Sequence, residues 1–304
     1  MNKNSIRPVE YTQYMPILRA EVVNIHTLLS YFKKTDMDYD CNGNILINFN
    51  NETKNTPIVV AHLDNVQNGI REPVMNVSRT RIFGKKTGIG FDDKAGIIAA
   101  IELWRRIPER KFRIIFTADE EVGGVGASML DPRYYSDAAY IIEMDRKGNQ
   151  DLINNSGGTR LCSEEFASMF DCYGFKREQG TFTDVNVFKP NAPHVNMVNM
   201  SIGYYQPHTD DEYLDIKDFE YIVSCVEDFL KNHTEVIVDD TPPEPEKKAY
   251  SGYPYKSYSG YDDVICCDWC GKEIFDENKA VYAGDEIFCC EKCLRDAYNF
   301  DFNK

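Results

Sequence analysis

Long apolar runs are missing from this 304-residue sequence. No stretch approaches the roughly 20 residues that a membrane span requires, so a membrane partner is not expected. The opening MNKNSIRPVEYTQYMP contains no apolar segment of the secretory-signal kind, which points to a cytoplasmic setting. Positive charge is also scarce. With 34 basic against 49 acidic side chains, the net formal charge is −15. Such a surface repels nucleic acid and anionic lipid and mainly keeps the protein soluble. No internal repeat occurs. What is present suffices for a full core, because 42% of the residues are hydrophobic and 12% aromatic.

Ten cysteines would suggest disulfides, but six of them fall within residues 266–293. Clustered CxxC pairs in a reducing compartment read as metal ligands. The composition therefore divides the chain into a catalytic-size segment over 1–238, a Pro-, Gly-, Ser- and Tyr-rich linker over 239–263, and a cysteine-rich unit over 264–304.

Within the first segment, apolar spacing predicts helices over 16–34, 92–107, 163–174 and 216–233. NGNILINF (42–49), TPIVVAHLD (56–64), KFRIIFTADEE (111–121) and DAAYIIEMD (137–145) read as strands. Strands alternating with helices predict an α/β fold with a largely parallel, doubly wound sheet. Ligands bind such sheets beyond the carboxyl ends of the strands. Three of these strands deliver a histidine or carboxylates to that edge.

His62 ends the first apolar strand, and Asp64 lies two positions on, where an extended chain points the same way. Either Asp64 orients a metal-binding imidazole, or the pair is a core histidine with a local salt bridge. In GIGFDDKAG (88–96), Asp93 reads as a helix N-cap, Asp92 as a carboxylate bridging two cations, and Lys94 as a nearby counter-charge. In FTADEEVGGVGA, adjacent glutamates point in different directions, so one can hold metal while the other faces water. We assign Glu121 as ligand and Glu120 as general base; a solvated charge pair is the plain alternative. Asp145 ends a further strand, and His208 sits in the loop YQPHTDDE. Together they give His–Asp–Asp on one ion and Asp–Glu–His on another, sharing Asp92. Mixed nitrogen and oxygen donors suit Zn2+, and Co2+ or Mn2+ could occupy the same set.

The order AHLD, GIGFDDKAG, DEEVGGVGA, a strand-end aspartate and PHTDDE resembles the co-catalytic dizinc exopeptidase superfamily, over about residues 16–233. That group includes carboxypeptidase and peptidase T-like enzymes, acetylornithine deacetylase-like amidohydrolases, and leucine and glutamyl aminopeptidases. The resemblance implies that His62 and Asp145 bind one zinc and Glu121 and His208 the other. It also implies that Asp92 bridges, Glu120 is the base and Asp64 orients His62. NGNILINF matches the short hairpin this group carries before its AHxD strand. GTFTDVNVF (180–188) is similar to its Gly-Thr-Asp segment, with Asp184 expected to cap a helix rather than shape the pocket. One departure is clear: only 63 positions separate Asp145 from His208. A lid domain of the carboxypeptidase type cannot fit there, so neither its substrate contacts nor its dimer carries over.

In the tail, Cys267 and Cys270 form a CxxC pair followed by Gly271, and FCCEKC supplies Cys289 and Cys293, with Cys290 the alternative to Cys289 and Cys266 a spare. This spacing reads as one structural zinc, and FCxxxC resembles treble-clef-like fingers. A unit so small needs the metal to fold. Residues 262–304 carry 11 acidic and 5 basic side chains, the wrong sign for phosphate, so a protein partner is expected instead. The leading expectation is hydrolysis of the terminal peptide bond of a small peptide. The alternatives are deacylation of an acylated amino acid and an inactive hydrolase fold that binds partners through its finger.

Overall fold

The computed structural model describes residues 8–66, 71–76 and 78–240, together with four short strands between 265 and 288. The chain divides into two units, Met1–Pro242 and Pro243–Lys304. The strands of the first unit begin with β1 (Met37–Tyr39), β2 (Ile45–Ile47), β3 (Ile58–His62), β4 (Pro73–Met75), β5 (Arg81–Gly84) and β6 (Arg113–Thr117). They continue with β7 (Ile141–Arg146), β8 (Asp151–Ser156), β9 (Thr159–Arg160), β10 (Lys176–Gly180), β11 (Met197–Ser201), β12 (Tyr204–Tyr205) and β13 (Tyr213–Asp215). The main sheet runs β1-β2-β6-β3-β7-β11-β8-β10, with β9 beside β8. A smaller sheet runs β12-β13-β5-β4.

The main sheet is mixed, with a parallel centre. β3 pairs parallel with both β6 and β7, and β11 pairs parallel with β7. Outside that centre β1–β2 is an antiparallel hairpin and β8 runs antiparallel to β11. Every residue of β3 and of β6 is buried. That is why these strands read as unbroken apolar runs rather than alternating ones.

The α-helices are α1 (Met15–Arg19), α2 (Ile25–Leu28), α3 (Phe91–Arg106), α4 (Val125–Met129), α5 (Glu164–Ser168), α6 (Asp184–Phe188) and α7 (Ile216–Asn232). They cover both faces of the sheet. Val59, Ala61, Ile114, Phe116 and Met144 share one core with Ile97 and Ile101 of α3 and Phe219 of α7. Their strand neighbours Ile58, Val60, Ile115 and Ile141 point the other way, into a core with Ala127 of α4 and Phe188 of α6. The period of two along a strand thus supplies two separate hydrophobic layers.

The helix expected over 16–34 is broken. Ala20 is extended, with φ −62° and ψ 139°, and its carbonyl accepts the Lys94 ammonium at 2.6 Å. Asn24 then caps α2 by accepting the Thr27 N–H at 3.2 Å. A buried lysine claims the carbonyl, so apolar spacing alone misreads the segment. The helix expected over 163–174 is likewise only α5 followed by a 3₁₀ turn at Asp171–Tyr173.

Asp239 remains fastened to the first unit. Both of its carboxylate oxygens lie 2.9 Å from Arg160 Nη1, and one lies 3.0 Å from Lys189 Nζ. In the second unit, Ile265–Cys266 pairs with Glu273–Ile274, and Val281–Ala283 with Glu286–Phe288, both antiparallel. Cys267, Cys270, Cys289, Cys290 and Cys293, and linker residues 241–263, lie outside the described residues. Among the described residues no helix is long and apolar enough to cross a membrane.

Candidate metal centre

Because β6, β3 and β7 are neighbours and parallel, the residues that follow their last turns of chain meet at one edge. His62 closes β3, Asp145 lies near the end of β7, and Glu120 and Glu121 follow β6. Asp92 enters from the non-helical first turn of α3, and His208 from the loop before β13. With Asp64, two positions after His62, the seven residues expected at the centre come together.

Asp92 stands between the two imidazoles. Its Oδ1 lies 3.1 Å from His62 Nε2 and its Oδ2 lies 3.1 Å from His208 Nε2. Asp145 Oδ1 is 3.6 Å from His62 Nε2, and Glu121 Oε1 is 3.1 Å from His208 Nε2. That Glu121 oxygen is buried, with the His208 ring as its one close polar neighbour among the described residues. One donor atom each from His62, Asp92 and Glu121 lies within a sphere of mutual distances of 4.8 Å, as do atoms of His62, Asp93 and Asp145.

Asp64 acts mainly on the backbone. Its two oxygens accept the N–H groups of Glu120 and Glu121, each at 3.0 Å. The same carboxylate is 3.3 Å from His62 Nδ1, and the Asp64 carbonyl is nearer at 3.0 Å. A proton on Nδ1 leaves the Nε2 lone pair, on the side of Asp92 and Asp145, free to bind a metal ion. The residue ahead of the glutamates, Asp119, has φ +56°, and His208 itself has φ +62°. Both non-glycine residues hold left-handed conformations that aim the side chains beside them into the site.

Asp93 braces α3. It accepts the Gly96 N–H at 2.9 Å and the His62 N–H at 3.2 Å. Gly96 is required for this fit, because a Cβ there would stand 2.5 Å from the Asp93 oxygens and 2.6 Å from the Met144 carbonyl. The peptide bond joining Asp92 to Asp93 is cis. Lys94 is not the counter-charge of Asp92. Its ammonium donates to the carbonyls of Ala20 and Ile89, at 2.6 and 2.7 Å, and burial pulls its pKa down to about 7.

Three supports escaped the sequence reading. Glu212, fully buried, accepts the Gly90 N–H at 2.6 Å and the Asp92 N–H at 3.3 Å. It thereby ties the His208 loop to the Asp92 turn. Asn199 grips the Asp145 backbone from both sides, at 3.0 Å each. Glu143, an acid in the middle of an apolar strand, accepts the N–H groups of Asp184 and Val185 at 3.2 and 3.4 Å. Glu143 rather than Asp184 therefore caps α6. Asp184, expected as a cap, is fully buried and hydrogen-bonded to the Thr117 hydroxyl. An acid placed among apolar residues was the available signal for Glu143. The others announce themselves only in three dimensions.

The electrostatics of the cluster favour cations. Burial opposes charging of His62, but the carboxylates of Asp145, Asp64 and Asp92 outweigh it and raise its pKa well above the ordinary value. The hydrogen bond to Asp92 lifts His208 to about 9. Burial raises Asp145, and the charge on Asp92 adds to the effect. Glu121 is pushed up to about 7 by burial, then by Asp92. Burial likewise raises Glu120. Asp92 and Asp64 go the other way: burial would raise both, but the two imidazoles hold Asp92 well below the carboxylate range, and the His62 hydrogen bond lowers Asp64. Four carboxylates thus crowd two imidazoles, with Asp92 and Asp145 in contact with each other as well. Such a donor set fits divalent ions, whose charge would relieve the repulsion.

The centre opens into a cleft of about 240 Å³. Besides the cluster, its walls carry Arg146, Lys147, Thr181, Phe182, Tyr204 and Pro207. Phe182 is 47% exposed, and the Tyr204 hydroxyl donates to Asp145 Oδ1 at 3.3 Å.

A family model described as M42 glutamyl aminopeptidase matches residues 67–164. The fold is similar to that of a tripeptidase from Staphylococcus aureus at a TM-score of 0.58 and 13% identity, over 73% of this chain and 96% of that one. The aminopeptidase PepT from Bacillus cereus aligns at a TM-score of 0.55 and 15% identity, covering 71% of this chain and 96% of the other. A TET aminopeptidase from a marine-sediment Thaumarchaeota archaeon gives 0.58 and 11%, with 72% and 95% covered. No curated protein matches. The matched segment contains Asp92, Glu120, Glu121 and Asp145. With that match and the His/Asp cluster, the chain is an aminopeptidase-like, metal-dependent exopeptidase.

Proposed function

We propose that this chain removes the terminal residue of small peptides by a water-activating reaction on two divalent ions, most simply Zn2+. The observation that carries the reading is Asp92, whose two oxygens each lie 3.1 Å from a different histidine. A carboxylate so placed suits a bridge between paired cations.

In this reading His62 and Asp145 hold one ion, Glu121 and His208 hold the other, and Asp92 serves both. Bound ions of this kind polarise the scissile carbonyl and bring the pKa of water toward neutrality. The remaining work belongs to the chain. Glu120 accepts the proton of the attacking water on its carboxylate and returns it to the departing amine nitrogen. Its burial-raised pKa suits a group that must both take and give a proton. Asp64 fixes the backbone of both glutamates and the ring of His62.

The aminopeptidase sense, with a free amino terminus at the cleaved end, is supported by the family model and by the names of the similar structures. A deacylase would use the same parts, and N-acyl amino acids belong in the assay panel. The four free cysteines of the first unit, Cys41, Cys162, Cys172 and Cys225, suit a cytoplasmic setting.

The same proposal assigns 1–238 to catalysis, 239–263 to a linker and 264–304 to a finger holding one structural zinc through Cys267, Cys270, Cys289 and Cys293. The CxxC spacing supports it, as do the two antiparallel strand pairs of this unit. Metal analysis of the full chain, with peptide, peptide-amide and N-acyl amino acid substrates, tests the whole. Three zincs and peptide turnover support both sites. One zinc that survives mild chelation, with no turnover, would leave the finger alone.

A further inference from the structure

We infer that Lys147 makes the cleft selective for substrates that carry a carboxylate beyond the scissile bond. This rests on the exopeptidase reading and names the substrate class of the same site. Among the charged side chains lining the cleft, Asp92, Glu120, Glu121, Asp145 and His208 belong to the metal cluster. Two cations remain. Arg146 is already engaged, its Nε 3.1 Å from Asp151 Oδ2. The Lys147 ammonium has no ion pair or hydrogen bond among the described residues, although it lines the same wall.

Its backbone is nonetheless held firmly. The Lys147 carbonyl accepts the Ser201 hydroxyl at 2.8 Å. On either side, the Arg146 carbonyl accepts the Ile202 N–H at 2.9 Å, and the Gly148 N–H donates to the Tyr204 carbonyl at 2.8 Å. A fixed backbone carrying an exposed, unengaged ammonium, two positions after Asp145, is suited to a ligand anion. The chain's net charge of −15 repels anionic substrates at a distance, so a local cation has a large part in admitting them. A cleft of about 240 Å³ also favours small substrates, whose terminal carboxylate comes close to the reacting carbonyl.

The carboxylate can be the α-carboxyl end of a dipeptide or tripeptide, or a Glu or Asp side chain on the leaving residue. Zinc-loaded full-length protein should be assayed on a dipeptide acid, its C-terminal amide, and amides with Glu or Gln as the leaving residue. Wild type should prefer the carboxylate-bearing member of each pair it recognises. In Lys147→Met that preference should fall about tenfold, chiefly through KM. The neutral amide should be cleaved as before, and Lys147→Arg should restore most of the loss. KM for the acid should rise with ionic strength in wild type and much less in Lys147→Met. A preference for the acid over its amide identifies the terminal carboxylate; a preference for Glu over Gln identifies the side chain.

Equal losses on acid and neutral substrates, or no change in Lys147→Met, would overturn the role of Lys147 while leaving the exopeptidase reading intact. Failure of wild type to cleave any peptide would overturn that reading and this inference with it.

Discussion

The backbone N–H of Glu121 donates to Asp64 Oδ2 at 3.0 Å. A carboxylate on the β3 side of the site thus sets the position of a glutamate that follows β6. Asp64 Oδ1 holds Glu120 in the same manner. An amide in place of the carboxylate offers one acceptor where two are used and turns an N–H toward another N–H. Asp64→Asn should therefore lower kcat/KM and metal affinity by roughly 10–100-fold, with the melting temperature nearly unchanged. Metal titration and steady-state kinetics on one preparation check it. Wild-type values would remove Asp64 from the site's support.

Glu120 lines the cleft and is not in contact with either imidazole in the way Glu121 is. Glu120→Ala should cut kcat by about 10²–10⁴-fold while bound metal stays at the wild-type level. A variant that loses metal in step with activity would show Glu120 to be a ligand instead.

Removing the ions should cost stability as well as activity. A ligand at 100 times its Kd contributes about 2.7 kcal/mol to the folded state. For a domain of this size that is a fall of roughly 5–10 °C in Tm on chelation, restored by adding Zn2+. Asp92→Asn, which weakens both imidazole contacts, should show a small chelator effect from the start. Differential scanning fluorimetry with and without chelator reads both.

Asp184 supplies a pH signature. Burial and the charge on Glu143 hold its pKa well above 3.8, so the native chain keeps a proton that the unfolded chain releases near pH 4. Above that pH the native state binds more protons, and stability must fall as pH rises toward the raised value. Asp184→Asn lacks this titration. The stability of wild type relative to the variant should be greatest at or below pH 4. It should then decline by at most ~1.4 kcal/mol per pH unit toward neutrality. Urea midpoints at several pH values test it; a difference independent of pH contradicts it.

Asp239 is buried between Arg160 and Lys189. Removing it takes the facing carboxylate from the buried Lys189 and from Arg160, so Asp239→Ala should destabilise the first unit by about 3 kcal/mol, while Lys34→Ala, on an exposed turn, should change little. Chemical denaturation of the two variants side by side gives the comparison.

Much of the site could be read from the chain because its donors lie in short local patterns. AHLD ends a buried strand, DEE follows another, and the carboxyl edge of a parallel sheet draws such ends together. The parallel centre was legible for the same reason. The hidden parts are those that depend on distant partners. No local pattern says that Lys94 will take the Ala20 carbonyl and stop a helix, or that Glu212 will reach back to the Asp92 turn. Asp184 misled because a polar residue at a helix start usually caps it. Here the capping oxygens come from a neighbouring strand.

The pairing of β3 with both β6 and β7 also bears on how the molecule is made. His62, Asp145 and His208 are far apart in the chain, and none of their contacts can form until non-local parallel pairings have closed long loops, which is intrinsically slow. Ion capture at this centre should therefore come late in folding. A pulse of zinc during refolding would report when the sheet's central strands have come into register.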